Sequence, residues 1–294
     1  MDLADCVYGG YGSGQKFIYP EANDFLLSRF EATKESRYLD HVCLTLDRMR
    51  ESPIHDREAG GYFRTSSGAD WSHPHREKLL LEQAGLLANC LRTFKITQQR
   101  VYARMAEGIV DYLNAKLSDA PTGAFYGCED FVRESSASSA EEEFFTILDK
   151  CIYTDANART ILAYLDAAAL LEKTECRDRA LQALEFLWRQ CRESASGMLH
   201  YFDGVSHVPG LLNDQTHMGT ALVLAYKATG DDKYLQRATE LAEFVLAKLY
   251  NPRGGYWDLC VRGPALLSYP VTLIDQNGAT ASFFLSLGAA SREN

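Results

Sequence analysis

The sequence predicts an all-α fold, an α/α toroid in which helical hairpins surround a central funnel. Three observations lead to this prediction: amphipathic helices alternate with almost wholly apolar ones, a short polar turn precedes each amphipathic helix, and a glycine-aromatic loop follows it. A helix that is apolar on all sides is buried on all sides, whereas an amphipathic helix covers a core with one face. The alternation therefore predicts an inner and an outer set of helices, with no substantial β-sheet.

The outer helices are framed by two recurring signals. Polar turns precede them at Thr33, Thr97, Thr174 and Thr229. Loop glycines follow them at Gly61, Gly123, Gly197 and Gly255. The spacings from threonine to glycine are 28, 26, 23 and 26 residues. This regularity indicates an internal repeat, and glycine supplies the positive φ that lets the backbone turn sharply after a helix.

The inner helices are expected to begin with polar residues and to continue with apolar ones. Their predicted openings are residues 75–78, 154–157, 213–217 and 275–278. Because each opening directly follows a glycine-aromatic loop, the inner-helix N-termini and these loops are expected on one face. The pattern contains five inner and four clear outer helices, which leaves open whether the ring is complete or incomplete. One domain, residues 1–294, is expected to hold all of them.

Composition excludes several classes of function. The formal net charge of −10 argues against nucleic-acid binding, because phosphates would be repelled. No apolar run approaches the ~20 residues of a membrane span. The N-terminus lacks the basic and apolar regions of a signal peptide, and the eight cysteines are scattered without a C-x-x-C pair. We therefore expect a cytoplasmic protein with reduced cysteines.

Sequence motifs for cofactors are also missing. No G-x-G-x-x-G follows a predicted strand, and no phosphate-binding P-loop motif occurs, so no organic cofactor is implied. His73 and His75 flank Pro74, but no cysteine or aspartate follows at ligand spacing. No metal site is therefore expected.

His75 and Glu77 form the leading candidate for catalysis. An imidazole close to a carboxylate can transfer a proton near neutral pH, which both hydrolysis and epimerisation require. The alternative interpretation is structural: His75 caps the inner helix, and Glu77 is an acid favoured by the helix dipole in the first turn.

A second set of candidates lies at the later inner-helix openings. Asp155, Asp214 and His217 are predicted to act as further acid–base or substrate-orienting groups, although any one of them is also compatible with an ordinary helix cap. The predicted substrate-binding residues lie in the loops and at the helix openings; they are Tyr62, Arg64, Trp71, Lys78, Tyr126, Asn157, Trp257, Asp275 and Asn277. Aromatic side chains among them could stack on a sugar ring or pack against helix ends.

These segments resemble one family. Three segments resemble, in the same order, the motifs of the C-terminal helical domain of the thioredoxin-domain-containing, spermatogenesis-associated thioredoxin-like proteins. They are Gly60–Arg64 with Trp71 and residues 74–78, then residues 123–130, then residues 154–157. The resemblance implies an α/α toroid similar to six-hairpin glycosidases and sugar 2-epimerases, without the family's thioredoxin-like domain. The aromatic and glycine that flank the family's asparagine are replaced here by Ala156 and Ala158.

The combined evidence predicts an enzyme that acts on a carbohydrate or a related polyol. It would be a hydrolase or an isomerase or epimerase that uses general acid–base catalysis, with a sugar-like small molecule as its ligand. The alternative is a non-catalytic toroid that binds a small ligand or a protein partner through the same funnel. The oligomeric state is not predicted by any feature of the sequence.

Overall fold

The computed structural model describes residues 1–134, 143–260 and 269–292. This part of the chain contains nine α-helices, which are α1 Pro20–Thr33, α2 Ser36–Glu51, α3 Leu80–Thr97, α4 Arg100–Tyr112, α5 Thr154–Leu170, α6 Thr174–Gln190, α7 Leu212–Thr229, α8 Asp232–Lys248 and α9 Ile274–Ala290. A π-helical turn, Leu113–Leu117, extends α4. None of the described helices is long and apolar enough to cross a membrane.

The two predicted kinds of helix alternate along the chain. The odd-numbered helices correspond to the inner positions and the even-numbered ones to the outer positions. The α8 helix buries one stripe, with Tyr234, Ala238, Leu241 and Val245 among its buried residues. In contrast, α7 buries more than half of its residues, on several sides. The helical alternation predicted from the hydrophobic pattern is confirmed.

The structure also contains short antiparallel strands, whereas the sequence predicts no substantial sheet. They are β1 Lys16–Phe17, β2 Thr65–Ser66, β3 Pro74–His75, β4 Glu77–Leu79, β5 Cys128–Glu134, β6 Glu143–Asp149, β7 Ile152–Tyr153, β8 Arg192–Glu193, β9 Gly197–Phe202 and β10 Ser206–Pro209. They form the sheets β1-β2-β3 and β4-β5-β6, and β10-β9-β7 with β8 added to β9. The connections between helices are therefore ordered by pairing rather than being simple loops.

The chain divides into two compact units. Unit 1 comprises Met1–Ser118, Phe125–Lys150 and Asp166–Lys173, and unit 2 comprises Asp119–Ala124, Cys151–Leu165 and Thr174–Asn294. In unit 1, α1 packs against α2 and α3, and α3 packs against α4. In unit 2, α7 packs against α8 and α9. The single domain expected over residues 1–294 remains a prediction.

Threonines close three of the inner helices in the same way. The Thr33 hydroxyl donates to the carbonyl of Arg29 and accepts the N–H of Glu35, and Thr97 and Thr229 make the equivalent bonds. A residue with left-handed backbone follows each of them.

The predicted equivalence of Thr174 with these threonines is wrong. Thr174 begins α6, and the left-handed residue after α5 is Glu172. Leu171 therefore holds the equivalent position. The spacing from Leu171 to Gly197 is 26 residues, which matches the spacings from Thr97 to Gly123 and from Thr229 to Gly255. The short spacing of 23 residues therefore results from the choice of Thr174, whereas the spacing of 28 residues from Thr33 to Gly61 is unaffected.

A side-chain amide fixes each of three loops to the helix that follows. Gln83 accepts the backbone N–H of Tyr62 and donates to the carbonyl of the same residue. Gln215 bonds Met198 in this way, and Asn277 bonds Tyr256. We call this two-bond contact the amide clamp. Each clamping residue is the fourth of its helix, and asparagine occupies the fourth position of the two other inner helices, at Asn23 and Asn157.

The start of α3 differs from the prediction. The sequence predicts that this inner helix opens at residues 75–78, but the helix begins at Leu80. The preceding residues are extended, because Glu77 and Leu79 pair with Asp130 and Cys128 of β5. His75 and Glu77 therefore lie on strands, and neither is a helix cap.

Replacement of Gln83 by leucine is expected to destabilise the protein by about 2–4 kcal/mol. The variant would leave the buried N–H and C=O groups of Tyr62 without partners, and each unpaired buried group costs ~1–3 kcal/mol. Urea denaturation measures this loss. The control Gln236→Leu, at an exposed position of α8, should change the free energy of unfolding by less than about 0.5 kcal/mol. Equal effects of the two substitutions would contradict the clamp.

Candidate functional site

A histidine–aspartate pair forms the centre of the candidate site in unit 2. His200 lies in β9, and Asp214 lies in the first turn of α7. Nδ1 of His200 is 3.1 and 3.2 Å from the two carboxylate oxygens of Asp214. Asp214 has no exposed surface, whereas 30% of the His200 side chain is exposed. The aspartate therefore orients the imidazole, and Nε2 is the ring nitrogen left for a ligand.

Asp155, the second residue of α5, completes this cluster. One ligand atom from each of Asp155, His200 and Asp214 lies within 4.8 Å of the others. A backbone hydrogen bond from Asp155 also reaches the Asp214 carboxylate. Within the described residues, these three donors are the group that could hold a metal ion. Both carboxylate oxygens of Asp214 face the same nitrogen of His200, however. This is the arrangement expected when the Nδ1–H group of His200 donates a hydrogen bond to the carboxylate.

The environment shifts the pKa values of this pair. Burial raises the pKa of the Asp214 carboxyl to about 6, although the hydrogen bond from His200 opposes that shift. The same hydrogen bond raises the pKa of His200 above its usual value, and burial opposes this. His200 therefore holds its proton at a higher pH than a free histidine does.

A second pair, Arg159 and His217, extends the site along the same two helices. Nε and Nη2 of Arg159 are 3.3 and 3.2 Å from Nε2 of His217. Because a guanidinium only donates, His217 accepts as a neutral imidazole. Burial, together with the charge of Arg159, lowers the pKa of His217 to about 3.

Helical spacing connects the two pairs. Arg159 follows Asp155 by four residues on α5, and His217 follows Asp214 by three residues on α7. Residues at these separations share one side of a helix. The cluster of unit 2 thus combines an oriented imidazole, a partly exposed carboxylate and a guanidinium held by a neutral histidine.

In unit 1, the structure does not form the predicted His75–Glu77 pair. His75 is exposed on β3, and its backbone pairs with Thr65. Glu77 instead binds Arg64, whose guanidinium Nη1 lies 2.9 Å from the carboxylate. No hydrogen bond or ion pair joins the side chains of His75 and Glu77, both of which belong to the described part of the chain.

Three predicted substrate-binding residues of unit 1 are buried, so they offer almost no surface to a ligand. Tyr62 and Trp71 are 2% and 1% exposed, and the Trp71 indole donates to the carbonyl of Tyr8. Lys78 is fully buried; its ammonium lies 2.7 Å from Asp56 and 3.4 Å from Glu129. Burial and these contacts indicate that the three side chains stabilise the fold.

The remaining predicted binding residues lie in loops and helix openings. Asn277 makes an amide clamp, and Asn157 is buried and donates to the carbonyl of Tyr153. Tyr126 and Trp257 are half-buried in their glycine-aromatic loops, and Asp275 is exposed as the second residue of α9.

His200 and Arg159 are site residues that the sequence analysis missed. A signal for His200 was present, because it is the third residue after the loop glycine Gly197. Arg64 and Tyr126, both predicted, hold the same position after Gly61 and Gly123. The shared loop position therefore marks His200 as a counterpart of Arg64 and Tyr126. No comparable signal marks Arg159, whose partner is 58 residues away.

Comparison with known proteins supports the predicted resemblance in part. No protein-family model matches the chain. Spermatogenesis-associated protein 20 of Mus musculus is 34% identical over 130 residues, which cover 43% of this chain and 16% of that protein. An uncharacterized protein of Caenorhabditis elegans is 28% identical over 292 residues, covering 82% of this chain and 39% of that protein. The chain therefore spans less than half the length of these relatives.

Solved structures share the fold over nearly the whole chain. A D-mannose isomerase has a TM-score of 0.75 at 14% identity, with coverage of 99% of this chain and 78% of that chain. Cellobiose 2-epimerase from Bacillus thermoamylovorans has a TM-score of 0.74 at 14% identity, covering 99% and 81%. A family 76 glycoside hydrolase (mannosidase) from Bacteroides thetaiotaomicron has a TM-score of 0.69 at 17% identity, covering 96% and 73%. The chain is similar to spermatogenesis-associated protein 20 over 43% of the present chain. Its fold is the all-α toroid of six-hairpin glycosidases and sugar epimerases.

Proposed function

We propose that this protein is an enzyme that isomerises or epimerises a carbohydrate or related polyol by proton transfer. The observation that carries the proposal is the hydrogen bond between His200 and the fully buried Asp214. An imidazole oriented by a buried carboxylate is suited to general acid–base catalysis. The sugar epimerase and mannose isomerase of the same fold support this choice of substrate class.

The reaction moves a proton at the carbon next to a sugar carbonyl. Nε2 of His200 takes the proton from this carbon, and the electron pair of the C–H bond moves toward the carbonyl oxygen. Arg159, held by neutral His217, stabilises the negative charge that develops on this oxygen. Return of the proton to the former carbonyl carbon, with transfer of the hydroxyl proton of the adjacent carbon to the former carbonyl oxygen, gives an isomer. Return to the opposite face of the same carbon gives an epimer and requires a second group, for which Asp155 is the candidate.

Hydrolysis, the other reaction class predicted from the sequence, is less well supported. Glycoside hydrolysis generally uses two carboxyl groups that flank the scissile bond. Asp214 has no exposed surface and is bonded to His200, so it is not placed to attack or protonate a glycoside. Because Glu77 is paired with Arg64, the proposed centre of proton transfer is His200 rather than His75 and Glu77.

Replacement of His200 by glutamine is expected to reduce kcat by ~10²–10⁴-fold, because a general acid–base group contributes about this much. Incubation with D-mannose, D-glucose or cellobiose in D₂O, followed by proton NMR, detects exchange at the carbon next to the carbonyl. The matched control is His207→Gln. His207 lies on β10 of the same sheet and pairs with Asp203 at 3.0 Å, but both side chains are exposed.

Two outcomes of this experiment would contradict the proposal. Unchanged exchange in His200→Gln would exclude His200 as the proton-transfer group. Binding of sugars without exchange in the wild-type protein would favour the non-catalytic alternative. The melting temperature of each variant, measured in parallel, separates a loss of chemistry from a loss of folding.

Replacement of Asp214 by asparagine is expected to lower the pKa of His200. The carboxylate is the main cause that raises this pKa, and a neutral amide does not stabilise the imidazolium to the same extent. An NMR titration of the His200 ring proton measures the midpoint directly. Equal midpoints in the wild-type and Asp214→Asn proteins would show that the carboxylate does not act on the imidazole.

His217 is expected to make stability depend on pH. Its folded pKa of about 3 is below the unfolded value of 6.5, so its contribution is full above pH 6.5 and is lost as pH falls toward 3. The maximal slope for one such group is about 1.4 kcal/mol per pH unit. In urea denaturation between pH 7 and pH 4.5, His217→Gln should lose less stability than the wild type. Parallel losses in the two proteins would contradict a neutral, buried His217.

A further inference from the structure

A small cavity in unit 1 contains an acidic side chain that no structural contact explains. The cavity has a volume of about 200 Å³, and Phe17, Tyr19, Arg64 and Glu82 are among its lining residues. The Oε2 atom of Glu82 is inaccessible to solvent and has no hydrogen-bond partner in the part of the chain that the structure describes. An unpaired buried carboxyl oxygen costs stability, so its presence calls for an explanation.

The charges around Glu82 favour its neutral form. Burial raises the pKa of Glu82, and the carboxylates of Glu21 and Glu77 act in the same direction. A hydrogen bond from the backbone of Glu82 itself and the charge of Arg64 oppose this shift, but the Arg64 guanidinium is already paired with Glu77. A protonated carboxyl offers one O–H donor and an acceptor oxygen, which is the pair of functions that a hydroxyl group can satisfy.

The internal repeat places Arg64 and Glu82 at the positions that His200 and Asp214 hold in unit 2. Arg64 and His200 are each the third residue after a loop glycine. Glu82 and Asp214 are each the third residue of an inner helix, next to the clamping Gln83 and Gln215. Each unit therefore carries polar side chains at the same two repeat positions. In unit 2 these two side chains bond each other, whereas in unit 1 Arg64 is bonded to Glu77 and the Oε2 atom of Glu82 has no hydrogen-bond partner among the described residues.

We propose that Glu82, together with Arg64, binds a hydroxyl group of an uncharged sugar or polyol in this cavity. This inference rests on the proposed function. It adds that Glu82 is a ligand-binding residue and that the ligand carries no charge. Two acids, Glu21 and Glu82, line the cavity together with one arginine that is already paired with Glu77, so an anionic ligand is disfavoured. The volume is below the ~300–1,000 Å³ of sites for drug-sized ligands and suits a single sugar ring or part of a disaccharide.

A ligand-binding role predicts an unusual combination of effects for Glu82→Leu. Leucine removes the buried, unpaired Oε2 atom, so the melting temperature of the free protein should rise or stay unchanged. The same change removes the group that bonds the ligand, so affinity should fall at least about tenfold, as expected for loss of a hydrogen bond of ~1.4 kcal/mol. A residue with a purely structural role would show the opposite: lower stability and unchanged affinity.

The experiment is isothermal titration calorimetry with D-mannose, cellobiose and mannose 6-phosphate as probes. Wild-type protein should bind at least one of the neutral sugars and should bind the phosphate more weakly. Glu82→Leu should lose this binding, and Glu82→Gln, which keeps a donor and an acceptor, should retain part of it. The control is Glu243→Leu, at an exposed position of α8, which should bind like the wild type.

Several results would overturn the proposal. They are the absence of neutral-sugar binding by the wild-type protein, equal affinity in Glu82→Leu, or tighter binding of mannose 6-phosphate. If Glu82→Leu does not fold, Glu82→Gln decides: affinity equal to that of the wild type together with lower stability assigns a structural role. The proposed function is tested separately. Sugar binding that depends on Glu82 but occurs without proton exchange refutes only the proposed enzymatic activity. Proton exchange that depends on His200, together with unchanged affinity in the Glu82 variants, refutes only this inference.

Discussion

The amide clamp is the contact on which the geometry of the loops depends. A glycine-aromatic loop exposes a backbone N–H and C=O that no helix satisfies, and one amide side chain supplies both missing partners. Gln83, Gln215 and Asn277 do this from the fourth position of their helices. Because the bonds are to backbone, the loop is held whatever its side chains are. The residues three positions after the loop glycine, among them Arg64 and His200, are therefore presented at fixed points.

Much of this frame could be predicted from sequence, because it is built from local patterns. Alternation of amphipathic and apolar helices depends on neighbours three and four residues apart. The start of α3 could not be predicted in this way. Residues 75–78 have the composition of a helix opening, but the pairing of Glu77 with Asp130 holds them extended. Such pairing depends on a partner 53 residues away, and no local pattern in residues 75–78 reports it.

The candidate site shows the same division between local and distant information. Asp155, Asp214 and His217 could be predicted because helix openings are recognisable in sequence. Whether each is a cap or a functional group depends on its partner: Asp214 on His200, His217 on Arg159. Burial also separated the candidates. Lys78 and Glu77 are equally plausible reactive groups in the sequence. In the structure, Lys78 is buried in an ion pair with Asp56, whereas Glu77 is bonded to Arg64 near the surface.

The clamp also separates two tasks between adjacent residues. The fourth position of each inner helix is always an amide, whereas the third is occupied by Ala22, Glu82, Ala156, Asp214 and Gln276 in turn. Mutation at the third position can thus change the chemistry without disturbing the backbone that displays it. Such a scaffold is evolvable: one architecture can acquire, lose or exchange reactions by drift at a few neighbouring sites, while selection for folding acts on the residue beside them.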